Sequence, residues 1–320
     1  MVKKALHYVI LMMAILVLNF ALPRMMPGSP MSRHVDEGVG QLTPEQRERI
    51  ISAYNLDRPI AEQFIIYIRD IFTFNLGMSF SKNQPIAELL KTALPWTVLL
   101  ALCNLILSTL IGTFLGALSA FRRKKRKDFP LILIMTALGS FPAFWIGMVL
   151  ISVFGVRLRL LPIFGAFSMW GGASNPIWDI TRHLIMPTAT LVLVTVGIFF
   201  STARFSVLSV LEQDYIKMAQ ARGLSQFRIH THYIIRNSLI PVFTLLMMEA
   251  GFIFSGALVI EKLFSYPGIG LLLYDAVMAR DYPLMQYTFL LTSFAVIAAA
   301  FLADLMNGII DPTMRNAYEQ

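Results

Sequence analysis

Six apolar stretches interrupt an otherwise mixed chain: residues 5–26, 95–121, 130–156, 184–210, 239–260 and 284–310. About 20 apolar residues in a helix cross the hydrocarbon core of a bilayer. Each stretch therefore predicts a transmembrane helix, and together they predict an all-α, polytopic membrane bundle of six helices. Arg157 and Arg159 stop the third stretch. The first follows Lys3 and Lys4, as in a signal peptide. Its apolar run exceeds the about 7–15 residues of a signal h-region and no A-x-A-like site follows, so it reads as a retained anchor.

Polar segments between the stretches divide the chain. Residues 1–26 form the first membrane helix. Residues 27–94 form a long loop whose basic and acidic residues balance, with two helix signals. One is Thr43-Pro44-Glu45-Gln46, an N-cap with Pro at the first helical position; the other lies near Pro59. Residues 95–310 form a five-helix core with a polar connection at 211–240. Residues 311–320 are a tail. Two further connections stand out: an aromatic and glycine-rich one containing Trp170-Gly171-Gly172, and one containing Ser265-Tyr266-Pro267-Gly268-Ile269-Gly270.

Composition agrees with lipid as the solvent. Of the 320 residues 56% are hydrophobic and 14% charged, against about 25% charged in soluble domains. The net charge of +8 is mostly an orientation signal. Arg122, Arg123, Lys124, Lys125, Arg126 and Lys127 fill one short loop, which the positive-inside rule places in the cytoplasm. By parity both termini and the 211–240 connection are cytoplasmic, and the 27–94 loop is an extracytoplasmic insertion. The basic run lacks interleaved aromatics and topology explains it, so no nucleic-acid partner is expected.

Catalytic and metal-binding patterns are missing. The chain has no GxxxxGK[ST] loop for nucleotide phosphates, no HExxH and no GxSxG. Its lone cysteine, Cys103, sits in an apolar run and reads as packing. The five histidines are scattered, and His230 and His232 lie on different faces of a helix. No catalytic residue, cofactor or metal is expected. Among intramembrane polar residues, Glu249 is a candidate for contact with a cationic group in a translocation pathway. Asn104 is a candidate for a pathway position or an interhelical hydrogen bond. The Phe141-Pro142 break is a candidate pathway lining or a plain kink. Arg204 and Asp304 lie nearer span ends and are expected to pair or snorkel. Gly112 and Gly116 form a GxxxG pattern expected to pack helices.

The 211–240 connection carries the strongest signal. It predicts a short helix, a tight turn at Gly223 in the left-handed conformation, and a second helical run over 226–238 leading to Pro241, which opens span five. Small residues at Ala219 and Ala221 would let another protein approach closely. Here the chain resembles the cytoplasmic coupling loop, or EAA loop, of ABC-importer permeases. It resembles in particular the dipeptide/oligopeptide/nickel subfamily, through Gln213-Asp214-Tyr215, Ala219-Gln220-Ala221-Arg222-Gly223-Leu224 and Arg236-Asn237-Ser238-Leu239-Ile240-Pro241. The family's Lys before the Gly is Arg222 here, and the Glu of the general pattern falls on Lys217. The resemblance extends along the chain: Leu22-Pro23 with Pro27-Gly28-Ser29-Pro30, Leu76-Gly77-Met78-Ser79, Leu94-Pro95-Trp96-Thr97, Ser140-Phe141-Pro142, Val259-Ile260-Glu261-Lys262-Leu263-Phe264, Ala279-Arg280-Asp281-Tyr282-Pro283, and Asp311-Pro312.

That resemblance implies a permease subunit in the cell (inner) membrane that does no covalent chemistry itself. It implies a second homologous permease subunit, two ATP-binding subunits and an extracytoplasmic substrate-binding protein as partners. The coupling residues it marks are Asp214, Tyr215, Lys217, Ala219, Ala221, Arg222, Gly223 and Leu224. Peptides are the default cargo of the subfamily; some members carry oligosaccharides, nickel or opines. A stand-alone secondary transporter would show inverted repeats with paired broken helices, and the sequence shows none.

Overall fold

The computed structural model describes residues 2–25, 57–123, 128–168, 175–256 and 258–310. Among them the regular structure is helical. In chain order the helices are α1 (Val2–Met25), α2 (Ile60–Phe72), α3 (Ile86–Phe121), α4 (Phe129–Ser140), α5 (Ala143–Leu150), α6 (Pro176–Leu211), α7 (Asp214–Ala221), α8 (Gln226–Arg228), α9 (Arg236–Gly256), α10 (Leu258–Leu263), α11 (Ile269–Ala279) and α12 (Tyr282–Ile310). Two π-helical segments, Ile151–Arg157 and Ile229–Ile235, extend α5 and precede α9. The helix signal at Thr43, Pro27–Pro30, Lys124 to Lys127, Trp170-Gly171-Gly172 and the 311–320 tail lie outside the described residues.

Among the described residues, five helices are long and apolar enough to cross a membrane: those containing Leu6–Met25, Ile86–Phe121, Pro176–Leu211, Gln226–Ala250 and Tyr282–Leu302. One further pair of helices passes the same test only together, as a broken span or a re-entrant loop. Phe129–Ser140 and Ala143–Arg157 meet at 100°, so the third apolar stretch is not one straight helix. The cause is local. Phe141 precedes proline and takes an extended conformation, φ −84° and ψ 140°, because the proline ring disfavours the helical region for its neighbour. Elsewhere proline leaves the helix unbroken. Pro95 lies inside α3 and Pro241 inside α9, so neither opens its helix as the apolar pattern suggests; each costs one backbone hydrogen bond that membrane helices tolerate. Asn175 caps α6, its Oδ1 accepting from the Ile177 and Trp178 amides at 3.0 and 3.2 Å, with Pro176 next to it as the first helical residue.

The chain divides into two compact units, Met1–Pro95 with Gly268–Ala295, and Trp96–Pro267 with Val296–Gln320. In the second unit α6 is central. Gly112 and Gly116 of α3 meet it: a β-carbon at Gly112 would come within 2.6 Å of Phe199 Cβ, and one at Gly116 would run into the Phe200 carbonyl. The GxxxG pattern therefore packs helices. Arg204 of α6 pairs with Asp128 at 2.8 Å and donates to Ser119 Oγ at 3.1 Å. One guanidinium thus ties α6 to α3 and to the residue before α4, and the hydrogen bond from Arg204 holds the Asp128 carboxyl below the usual carboxylate range. Large apolar side chains such as Leu110, Phe114 and Phe205 remain exposed, as a lipid-facing surface requires.

Sequence landmarks find partners within each unit. In the first unit the fully buried Asp281 carboxylate accepts from Ser79 Oγ (2.6 Å), Ser81 Oγ (2.9 Å), the Ser81 amide (2.9 Å) and the Leu284 amide (3.2 Å). It caps α12 and pins the 76–81 turn together. In the second unit buried Glu261 accepts from Thr97 Oγ1 at 2.7 Å, while Trp96 meets Tyr266 edge-on at 6.0 Å.

Candidate docking site between the fourth and fifth spans

The connection between α6 and α9 is an ordered hairpin on an apolar base. Helical phase places Ile216 and Ala219, three residues apart, on one face of α7. There they pack with Ile229 and Ile234 against Ala120 and Val207, at the ends of α3 and α6. Ile216 is 1% exposed and Ala219 4%. Burying such a base fixes the hairpin on the bundle, so that a push on one moves the other.

The turn is a Schellman motif. The Leu224 amide donates to the Ala219 carbonyl at 3.3 Å and the Gly223 amide to the Gln220 carbonyl at 2.9 Å. Gly223 has φ +73°, the left-handed conformation predicted for it, where a side chain is strained. Leu224 folds back onto the buried base. Beyond the turn, Ser225 Oγ accepts from the Arg228 amide at 3.4 Å, and the π-helical segment leads into α9.

Of the eight residues the sequence marks, Asp214, Tyr215, Lys217, Ala221, Arg222 and Gly223 are exposed. Ala219 is not: it belongs to the base, and the small side chain there serves close packing beneath the hairpin. Asp214 and Lys217 pair at 2.8 Å at the start of α7. The hydrogen bond lowers the Asp214 carboxyl and raises the Lys217 ammonium, so the departure from the family's Glu leaves the two charges neutralising each other. Tyr215 Oη accepts from Asn237 Nδ2 at 3.3 Å, and the same amide donates to the Tyr233 carbonyl at 2.8 Å. Two motifs that are separate in sequence thus meet at the hairpin's foot.

Sequence reasoning missed two residues, Met218 and Phe227, which are 59% and 78% exposed. Their signal was present. An apolar side chain on the polar face of an amphipathic hairpin is out of phase with the base, and an exposed Met and Phe there offer adaptable apolar contacts.

The pathway candidates make separate contacts. Asn104 Oδ1 accepts from Thr195 Oγ1 at 3.0 Å, an interhelical bond between α3 and α6. Phe141 stacks on Trp145, centroids 4.8 Å apart, with both rings partly exposed at the break beside Pro142. Glu249 is half-buried on α9, with no ion pair among the described residues. No hydrogen bond or ring contact joins any two of Asn104, Phe141, Pro142 and Glu249.

Residues 112–316, more than half of the chain, match the family described as "Binding-protein-dependent transport system inner membrane component". The chain is 31% identical to the dipeptide transport system permease protein DppB of Escherichia coli (strain K12), covering 94% of each chain. It is 32% identical to the protein of the same description from Bacillus subtilis (strain 168), covering 98% and 97%. It is 30% identical to the di/tripeptide transport system permease protein DppB of Pseudomonas aeruginosa (strain UCBPP-PA14), covering 94% of each.

Proposed function

The chain belongs to the family of binding-protein-dependent transport system inner membrane components, and from that premise we propose that it is one permease subunit of an ATP-driven importer of short peptides. Peptide cargo is supported by relatives described as dipeptide and di/tripeptide permeases over nearly their whole length. A second homologous subunit completes the pathway, two ATP-binding subunits sit on the cytoplasmic face, and an extracytoplasmic binding protein delivers the peptide. Both termini and the α7–α8 hairpin face the cytoplasm, where the basic residues belong.

The observation that carries this reading is the hairpin: a rigid, buried base beneath an exposed surface of Tyr215, Met218, Ala221, Gly223 and Phe227. Such a surface receives a groove of an ATP-binding subunit. When ATP draws the two ATP-binding subunits together, the hairpin moves with them, and α3 and α6 move because their ends grip it. The transport cycle is then a bistable bundle biased by a ligand bound elsewhere.

Cross-linking tests the contact. Cys103 is the chain's lone cysteine, so a Cys103→Ser background carrying Met218→Cys places one thiol on the hairpin. In the assembled transporter a short thiol-to-amine cross-linker joins it to an ATP-binding subunit. Cross-links confined to other membrane subunits would remove the basis of the proposal.

A further inference from the structure

A cavity of about 520 Å³ opens in the first unit. Its wall includes Arg24, Arg69, Tyr67, Asp70 and Gln286. That size suits a small organic group and is larger than a single water needs.

The wall is rich in donors, two of them unsatisfied among the described residues. Tyr67 Oη and Gln286 Nε2 are both buried and have no hydrogen-bond partner among the described residues; Tyr67 is 5% exposed and Gln286 7%. Buried polar groups nearly always have a partner, so an unsatisfied pair facing a cavity points to one held there. Burial pushes the Tyr67 hydroxyl up to about 12, which keeps it a proton donor at any physiological pH. Arg24 is held rigidly. Its Nε and Nη2 donate to Gln63 Oε1 at 3.2 and 2.9 Å, its Nη1 donates to the Phe20 carbonyl at 2.8 Å, and the guanidinium lies 3.6 Å over the Phe20 ring. No carboxylate pairs with it, or with exposed Arg69, among the described residues. Asp70 is the acidic side chain on this wall; burial raises its carboxyl, and the charge of neighbouring Arg69 offsets part of that.

We propose that this cavity binds an anionic oxygen group, a phosphate or a carboxylate, which accepts from Tyr67 and Gln286 and is balanced by Arg24 and Arg69. Among the described residues, the buried Tyr67 hydroxyl and Gln286 amide are donors, and Arg24 and Arg69 outnumber Asp70, the one carboxylate on the wall, so the ligand supplies acceptors and negative charge. Two sources share that chemistry: the headgroup of an acidic phospholipid and a soluble solute. The site stands apart from the peptide-import reading, since it uses none of the hairpin and none of the pathway candidates.

The full chain is purified and divided between two arms. In the first, it is placed in nanodiscs of phosphatidylcholine with or without phosphatidylglycerol, and retained lipid is counted by native mass spectrometry. In the second, inorganic phosphate and diglycine are titrated calorimetrically into the delipidated chain. Binding in the first arm assigns a lipid headgroup, and binding in the second a solute. In either case Tyr67→Phe, which removes one hydroxyl and leaves the ring packing, weakens binding about tenfold. Arg69→Gln, at an exposed position, weakens it further. No binding in either arm, as expected of a cavity holding water alone, overturns the proposal. So does binding that neither substitution changes.

Discussion

The Asp281 carboxylate accepts a hydrogen bond from the Ser79 hydroxyl at 2.6 Å, across 202 residues of sequence. Three further donors converge on the same buried group, two from Ser81 and one from the Leu284 amide. Removing it strands the buried Ser79 hydroxyl and Leu284 amide, while the donors of exposed Ser81 turn to water. Asp281→Ala is expected to cost about 3 kcal/mol of stability. Ser81→Ala, which removes one donor and leaves the rest, is expected to cost about 1 kcal/mol. Chemical denaturation in detergent, followed by tyrosine and tryptophan fluorescence, checks the ratio.

The glycines of α3 and α4 separate packing from permissiveness. Gly112→Ala drives a methyl into Phe199 and is expected to destabilise by about 1–3 kcal/mol. Gly139→Ala meets its nearest neighbour at 3.8 Å and is expected to be neutral or slightly stabilising, since helical alanine is favoured over glycine. Melting temperatures of the two variants in one detergent make the comparison. Equal effects would mean that α3 and α6 do not cross at Gly112.

The Arg204–Asp128 pair predicts a pH dependence. A carboxyl held lower in the folded state than in the unfolded one contributes stability above its unfolded value, near about 4. That contribution drains away as pH falls through the folded value. The native chain is therefore expected to lose stability on acidification below about pH 4. Arg204→Gln, which removes the partner, is expected to be less stable at neutral pH and to lose less on acidification. Melting temperatures recorded from pH 7 to pH 3 test the difference in slope.

The spans were legible because lipid demands long apolar runs, a requirement that composition records directly. Their ends were less so. Ile86–Phe121 and Pro176–Leu211 begin earlier than their apolar runs, because a helix continues through polar residues once its interior is fixed. Pro95 and Pro241 looked like starts and Phe141-Pro142 like a possible kink, yet only the last breaks a helix. A proline permits a break, and tertiary packing decides whether one occurs. The π-helical segments left no trace, since one extra residue in a turn hardly shifts apolar periodicity. The turn at Gly223 was legible from a glycine after a helical run. Ala219 was misplaced on the docking face because smallness was read without phase: three residues after Ile216, it had to share that residue's buried side.

Phase also decides which substitution interrogates the hairpin. Gly223→Glu confounds bulk with strain at φ +73°. Ala221 is exposed on a regular helix, so Ala221→Glu adds bulk and charge at the surface while leaving the Schellman turn intact. The most direct test reconstitutes the chain with its partner permease, ATP-binding subunits and binding protein in proteoliposomes, and measures ATP-driven uptake of a labelled dipeptide. The account predicts that Ala221→Glu inserts and assembles at native levels of the permease pair but loses uptake by about tenfold or more. Phe227→Ala, which removes an exposed ring, is predicted to give a smaller loss. Native rates of uptake in both variants would contradict the claim that this hairpin couples ATP to transport.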